Sequence, residues 1–194
     1  MPEKLDKQEF IGKVRLDYTW YSGEDLYTDG EIENRLLEIA KSTPEAALNA
    51  VIAEEKDWAV LYHMSHIREN VTDAVTISKD EDVLEIGSGC GAVTGSLARR
   101  AHSVTCIDLS RKRSLVNAYR HRDLDNVEIL VGNFRDIEEG ISRKFDCITL
   151  IGVFEYGAAY IGGKDPYGEF LRRIRRHLKP DGRLIIAIEN RLGL

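Results

Sequence analysis

The stretch Val83-Leu84-Glu85-Ile86-Gly87-Ser88-Gly89-Cys90-Gly91 sets a buried-type apolar run against three alternating glycines, and Ala92 opens the next segment. Glycine tolerates positive φ and lets a ligand approach the backbone. Gly87-x-Gly89-x-x-Ala92 satisfies the dinucleotide-binding spacing with alanine at the third position, so the glycines alone leave the ligand open. Asp108 stands 21 residues after Gly87, at the end of a second apolar run. An acidic side chain there can accept hydrogen bonds from two ribose hydroxyls. Glu85 narrows the choice, because its carboxylate lies near the loop where a dinucleotide would bring its pyrophosphate. Like charges would repel there. A ligand that lacks phosphate and carries an ammonium and a sulfonium, as S-adenosylmethionine does, is instead attracted by about 1 kcal/mol or more when the carboxylate is partly buried.

These residues need strands to end where they stand. From Asp82 onward, β-branched runs at Val83–Ile86, Val104–Ile107, Val127–Val131, Cys147–Ile151 and Arg183–Ile188 alternate with helical stretches near Val93–Arg100, Arg111–Leu124 and Phe170–Leu178. That punctuation predicts five parallel strands in a doubly wound α/β sheet. In the last helix Phe170, Leu171, Ile174 and Leu178 form the expected buried stripe. Residues 1–80 read as an N-terminal, mainly helical cap, and residues 81–194 as the cofactor-binding domain. Within the cap, Val14, Leu16, Tyr18 and Trp20 alternate with polar residues as in a short half-buried strand. One helix is expected on the stripe Ile32, Leu36, Leu37 and Ile39, and another after Thr43-Pro44. A third would bury Ile67, Val71, Ala74 and Val75, with Ser65 as N-cap.

Composition bounds the rest. The chain has 194 residues, 43% hydrophobic and 31% charged, with a net charge of −6. This fits a folded domain with an extension, and no global charge attracts a polyanion such as nucleic acid. Cys90, Cys106 and Cys147 have no metal-ligand spacing, and an odd number cannot pair completely. They point to reduced thiols and a cytoplasmic location, and no apolar run approaches a membrane span.

With four ordered blocks in place, the segment from Asp82 to about Glu189 resembles the class I S-adenosylmethionine-dependent methyltransferases. Glu85 through Gly91 resembles the family's first motif, with Gly87, Ser88, Gly89 and Gly91 against the methionine moiety. Asp108-Leu109 resembles the ribose and adenine block, and Gly132-Asn133-Phe134 the block that reads the adenine amino group. The family usually has Asp where Asn133 stands, and an amide oxygen can still accept that hydrogen bond. Phe145-Asp146 through Ile151-Gly152-Val153-Phe154-Glu155-Tyr156 resembles strand four and its functional end, and Lys179-Pro180-Asp181-Gly182 the turn before strand five. The resemblance implies a Rossmann-like sheet and S-adenosylmethionine as cofactor; no metal is expected. It also implies an antiparallel strand pair after strand five, which is missing here. The run at 183–188 would then form a sheet edge for a C-terminal domain or an oligomer partner to cover. Tyr21 through Tyr27 and Ile67 through Asn70 are similar to methyltransferase modules found with bacterial glycosyltransferases and surface-polysaccharide pathways.

Methyl transfer from a sulfonium mainly needs alignment and exclusion of water, but a hydroxyl acceptor benefits from a base. Glu155 and Tyr156 follow the fourth run and are the expected catalytic pair, ahead of His63 and His66, which read as packing residues. Arg68 would clamp the cofactor's carboxylate if its helix packs over the glycine loop, with a surface arginine as the alternative. Trp20, Tyr21, Tyr27 and Trp58 form a candidate aromatic lid, with core packing as the alternative. The basic runs at Arg111–Arg113 and Arg172–Lys179 read as solvated faces. No Asp/Asn-Pro-Pro-Tyr run or Pro-Cys nucleophile is present, which disfavours a nucleobase substrate. A small-molecule or glycan-type acceptor is expected, methylated on oxygen or nitrogen. The rivals are an NAD-dependent oxidoreductase and a non-catalytic cofactor-binding module.

Overall fold

The structure, a computed structural model, describes residues 6–25 and 28–188. Strands β1 (Gln8–Ile11) and β2 (Val14–Trp20) form a hairpin, followed by α1 (Ile32–Ser42), α2 (Leu48–Glu55) and α3 (Trp58–Met64). A 3₁₀ segment over His66–Thr72 leads to the alternating half: β3 (Asp82–Ile86), α4 (Thr94–Arg100), β4 (Ser103–Asp108), α5 (Arg111–Arg120), β5 (Val127–Gly132) and α6 (Phe134–Ile137). Then come β6 (Phe145–Ile151), α7 (Gly157–Tyr160), α8 (Pro166–Arg176) and β7 (Leu178–Ala187).

All described strands join one sheet in the order β1-β2-β5-β4-β3-β6-β7, parallel except for the β1–β2 pair. The fold is the Rossmann-like sheet expected for a class I methyltransferase. The five runs expected as strands are β3 to β7. They read as near-continuous apolar stretches because both faces are covered. On one face Val83, Val104, Cys106, Ile129 and Cys147 pack with Val93, Leu97 and Ala98. On the other, Leu84, Ile86, Ile107, Ile148 and Leu150 pack with Phe134, Phe170 and Ile174. A third cluster joins Leu36, Ile39, Val60 and Met64 to Val116 on α5, which seats the N-terminal helices over the domain. The three cysteines are buried and unpaired.

Several local expectations change. The alternating run at Val14–Trp20 is a strand of the main sheet itself, because β2 pairs in parallel with β5, Leu16 opposite Ile129. Residues on both sides of position 80 therefore share one sheet. The stripe expected from Ile67 to Val75 is not a buried helical face: Ile67 and Val71 are exposed, although Ser65 does cap the 3₁₀ turn by accepting from Ile67 N. Helix α3 was not expected, and Asp57 caps it through Ala59 N and Val60 N. In α8, Phe170 and Ile174 are buried but Leu171 is exposed and Leu178 already belongs to β7. Strand β7 begins five residues before the expected run at Arg183, because Phe145 pairs with Leu178 and Cys147 with Arg183. Lys179, Pro180, Asp181 and Gly182 stand where the partner strand has only Asp146, and the resulting bulge accommodates Pro180. The outer edge of β7 pairs with no described strand, and Ile186 and Ile188 are exposed along it.

The basic runs are also less solvated than expected. Arg113 is buried against Glu33 and Asp29. The buried Glu138 gathers Arg173, Arg176 and His177, tying α8 to the turn after α6.

Candidate active site

Strand order reverses beside β3, with β4 on one side and β6 on the other, and such a switch point opens a crevice beyond the carboxyl ends of the strands. There lies a cavity of about 480 Å³, lined by Glu85, Gly87, Ser88, Gly89, Cys90, Asp108, Leu109, Gly152, Val153, Tyr156 and Tyr160. That size suits a small-molecule site. The loop before α1, helix α3 and the 3₁₀ turn line its other side through Asp29, Trp58, Tyr62, His63 and Arg68. A smaller, mostly apolar slot of about 70 Å³ shares Gly87, Asp108, Leu109, Val153, Tyr156 and Tyr160 with it. Asn133, Phe134, Ile161 and Phe170 line its far side.

The glycine loop is shaped on both sides. At Gly89, with φ +52°, an added Cβ would meet nothing within 4 Å, so this face opens on the cavity. Gly91, with φ +76°, turns the other way: a Cβ there would lie 2.3 Å from Asn117 Oδ1 on α5. Gly91 is thus placed for packing, outside the cavity lining, whereas Gly87, Ser88 and Gly89 line it. Gly91→Ala is expected to destabilise the fold by about 1–3 kcal/mol through positive φ and overpacking, measured as a fall in thermal midpoint.

The carboxylates are held differently. Asp108 is buried, its Oδ2 accepting from Gly89 N at 2.8 Å and its Oδ1 from Ser110 N at 2.9 Å. Each oxygen keeps acceptor capacity for a hydroxyl. Burial raises its pKa against those backbone donors. Glu85 lies beneath the loop, accepting from Thr94 Oγ1 at 2.6 Å, with Cys106 Sγ at 3.5 Å. Burial pushes its carboxyl up to about 7. Ser88 Oγ is buried and has no hydrogen-bond partner among the described residues.

These features fit S-adenosylmethionine. The orphaned Ser88 hydroxyl, the open face of Gly89 and the two acidic groups can meet the cationic tail and ribose. The slot beside Leu109 and Phe134 has the apolar walls a purine needs. Arg68 lines the cavity with its guanidinium 4.3 Å from the Tyr62 ring centroid. Asn133 Oδ1 already accepts from Arg135 N as the N-cap of α6, and Asn133 Nδ2 reaches Tyr160 O at 3.4 Å.

Not every expected residue gathers here. Tyr156 lines both cavities, whereas Glu155 lines neither and is exposed; its carbonyl accepts from Tyr167 Oη at 3.3 Å. Trp58 lines the cavity, but Trp20 packs under Gly140 and Tyr21 bonds to Asp25, both away from it. Tyr27 lies outside the described residues. His66 bonds to Asn49 on the surface, while His63 lines the cavity with its Nε2 3.1 Å from Asp29 Oδ2. Asp29, Tyr62 and Arg113 were missed: Asp29 stands in a polar loop without a motif, and Arg113 was hidden in a run of charges.

A Rossmann-like sheet with this crevice defines a class I methyltransferase domain, and S-adenosylmethionine is its cofactor. Residues 84–184 match the family model described as methyltransferase domain, and the chain belongs to that family. The membership removes the oxidoreductase reading. Similar proteins include the ribosomal RNA small subunit methyltransferase A of Alkaliphilus metalliredigens, 31% identical over 42% of this chain and 29% of that protein. The protein-L-isoaspartate O-methyltransferase of Nitrobacter winogradskyi is 30% identical over 63% of this chain and 51% of its own length. The chain thus spans about half or less of these curated relatives. Among solved structures, a DhpI-SAM-HEP complex has a TM-score of 0.51 at 23% identity, covering 86% of this chain and 70% of that one. The Haemonchus contortus phosphoethanolamine N-methyltransferase 1 has a TM-score of 0.53 at 18% identity, covering 82% and 34%. Both show the fold. No helix among the described residues is long and apolar enough to cross a membrane.

Proposed function

We propose that the protein is an S-adenosylmethionine-dependent methyltransferase acting on a small-molecule acceptor, glycan-type acceptors included, by in-line transfer. The observation that carries the reading is the cavity in which Asp108 and Glu85 stand at the ends of adjacent strands around an open glycine loop. When bound, the cofactor supplies a methyl group on a sulfonium whose departure is already activated. The chain supplies the rest. Asp108 would hold the ribose, Glu85 and Arg68 the charged amino-acid end, and Leu109, Phe134 and Asn133 the adenine. Tyr156, Tyr160 and Trp58 would exclude water and set the acceptor's approach. The cavity's volume of about 480 Å³ is of the size that suits a small acceptor rather than a folded RNA. The likeness of Tyr21–Tyr27 and Ile67–Asn70 to glycan-pathway modules favours the glycan class.

Calorimetric titration tests the reading. S-adenosylmethionine and S-adenosylhomocysteine are expected to bind and NADH is not; the reverse order would overturn it. Glu85 adds a pH signature. Its folded pKa of about 7 means that free protein is partly protonated there at neutral pH. A cation arriving beside it favours the carboxylate, so binding near pH 7 is expected to release a proton, read as a dependence of the binding enthalpy on buffer ionisation. In the free protein a raised carboxyl pKa stabilises the fold less as pH climbs from the unfolded value near 4.5 to about 7. Glu85→Gln is expected to remove both effects.

A further inference from the structure

We propose that His63 and Asp29 form a base dyad that accepts the proton of a hydroxyl acceptor, which makes the protein an O-methyltransferase. The proposal rests on the methyltransferase reading and narrows its acceptor class.

The geometry begins with the proton. A carboxylate only accepts, so the 3.1 Å contact from His63 Nε2 to Asp29 Oδ2 requires the hydrogen on Nε2. The lone pair is then on Nδ1, which no described residue hydrogen-bonds, on a side chain that lines the cavity shared with Gly89 and Asp108. The other buried histidines are different. His121 Nδ1 meets Asn117 on α5, and His177 Nε2 meets Glu138, and neither lines the cavity.

The surroundings keep the imidazole neutral and fixed. Burial, helped by the Arg113 guanidinium on α5, holds His63 below its usual pKa, with Asp29 opposing and Arg68 on the 3₁₀ turn adding to the depression. His63 O accepts from Arg120 Nη1 at 2.9 Å, which anchors the end of α3 to α5. Arg113 bridges Asp29 to the buried Glu33, and Glu33 Oε1 also accepts from Asp29 N at 3.1 Å. Asp29 is therefore a positioning residue, set by a network larger than one ion pair needs. An amine acceptor carries its own nucleophilic lone pair, whereas a hydroxyl is a poor nucleophile until its proton is leaving. In the step, the acceptor oxygen bonds to the methyl carbon and the carbon–sulfur pair returns to sulfur. The hydroxyl proton passes to His63 Nδ1, and the resulting imidazolium, steadied by Asp29, gives it to water.

Nitrogen-15 NMR of the histidine rings in the full chain is expected to show His63 with Nε2 protonated and Nδ1 bare at neutral pH, titrating below 6.5. A proton on Nδ1 would overturn the dyad. With S-adenosylmethionine as donor, a panel of methyl glucoside, inositol and catechol is compared with amine counterparts. Alcohol methylation is expected, its rate falling as pH drops through the His63 midpoint. His63→Gln should lose about 100-fold and the pH limb, and Asp29→Asn about 10-fold, while donor affinity by calorimetry stays within threefold. Alcohol turnover undiminished in His63→Gln, or methylation of amines alone or of no alcohol, would overturn the proposal. Failure of the unaltered protein to bind the donor would instead sink the methyltransferase reading beneath it.

Discussion

Asp108→Ala is expected to weaken S-adenosylmethionine binding by about 100- to 1000-fold. The carboxylate sits at the point where the large cavity and the slot meet, so one side chain serves the ribose between them. Two charge-assisted hydrogen bonds to hydroxyls are lost, worth about 3–4 kcal/mol together, and each 1.4 kcal/mol is tenfold in affinity. The substitution also strands Gly89 N and Ser110 N, which now donate to the two carboxylate oxygens. The loop should loosen where the cofactor approaches it. Calorimetry of the variant against adenosine as well as the full cofactor locates the loss: both ligands should weaken together. Affinity within threefold of the parent would remove Asp108 from the ribose site.

The largest effect on stability is expected from Arg113→Ala. Glu33 is buried, and its carboxylate accepts from Arg113 Nε at 2.8 Å, Thr28 Oγ1 at 2.8 Å and Asp29 N at 3.1 Å. Removing the guanidinium leaves that charge uncompensated, which costs about 3–5 kcal/mol. For a chain of this size the thermal midpoint should fall by about 6–20 °C. Pairing the change with Glu33→Gln should restore part of the loss, because the stranded charge is then gone. If the double variant is as unstable as the sum of the two single ones, the ion pair is not the cause.

The cofactor end of the site is legible from residue order because chemistry and backbone demand coincide there. Glycines must interrupt a buried run at Gly87–Gly91, and an acid must end the next run at Asp108. The lid end has no such grammar. Asp29 and His63 meet only because α1 and α3 fold over α5, a contact set by Leu36, Val60 and Val116 rather than by spacing. Arg113 sits beside Arg111 and Lys112, and only burial against α1 distinguishes it from a surface charge. The bulge at Lys179–Gly182 is similarly silent: Pro180 and Gly182 read as a turn, and the pairing of Leu178 with Phe145 makes it part of a strand. Strand β1 is only four residues long, Gln8–Ile11, and it exists because Val14 through Asp17 offer it a partner.

The placement of β2 has a consequence for how the molecule is made. Arg15 lies opposite Glu128 in the sheet, and Lys13 N donates to Arg122 O, so residues synthesised early wait for partners more than a hundred positions later. A two-stranded hairpin is marginal alone. Val14, Leu16 and Tyr18, all buried in the finished sheet, therefore gain their cover only once β5 is in place, and this sequence-distant pairing raises the contact order that folding must overcome.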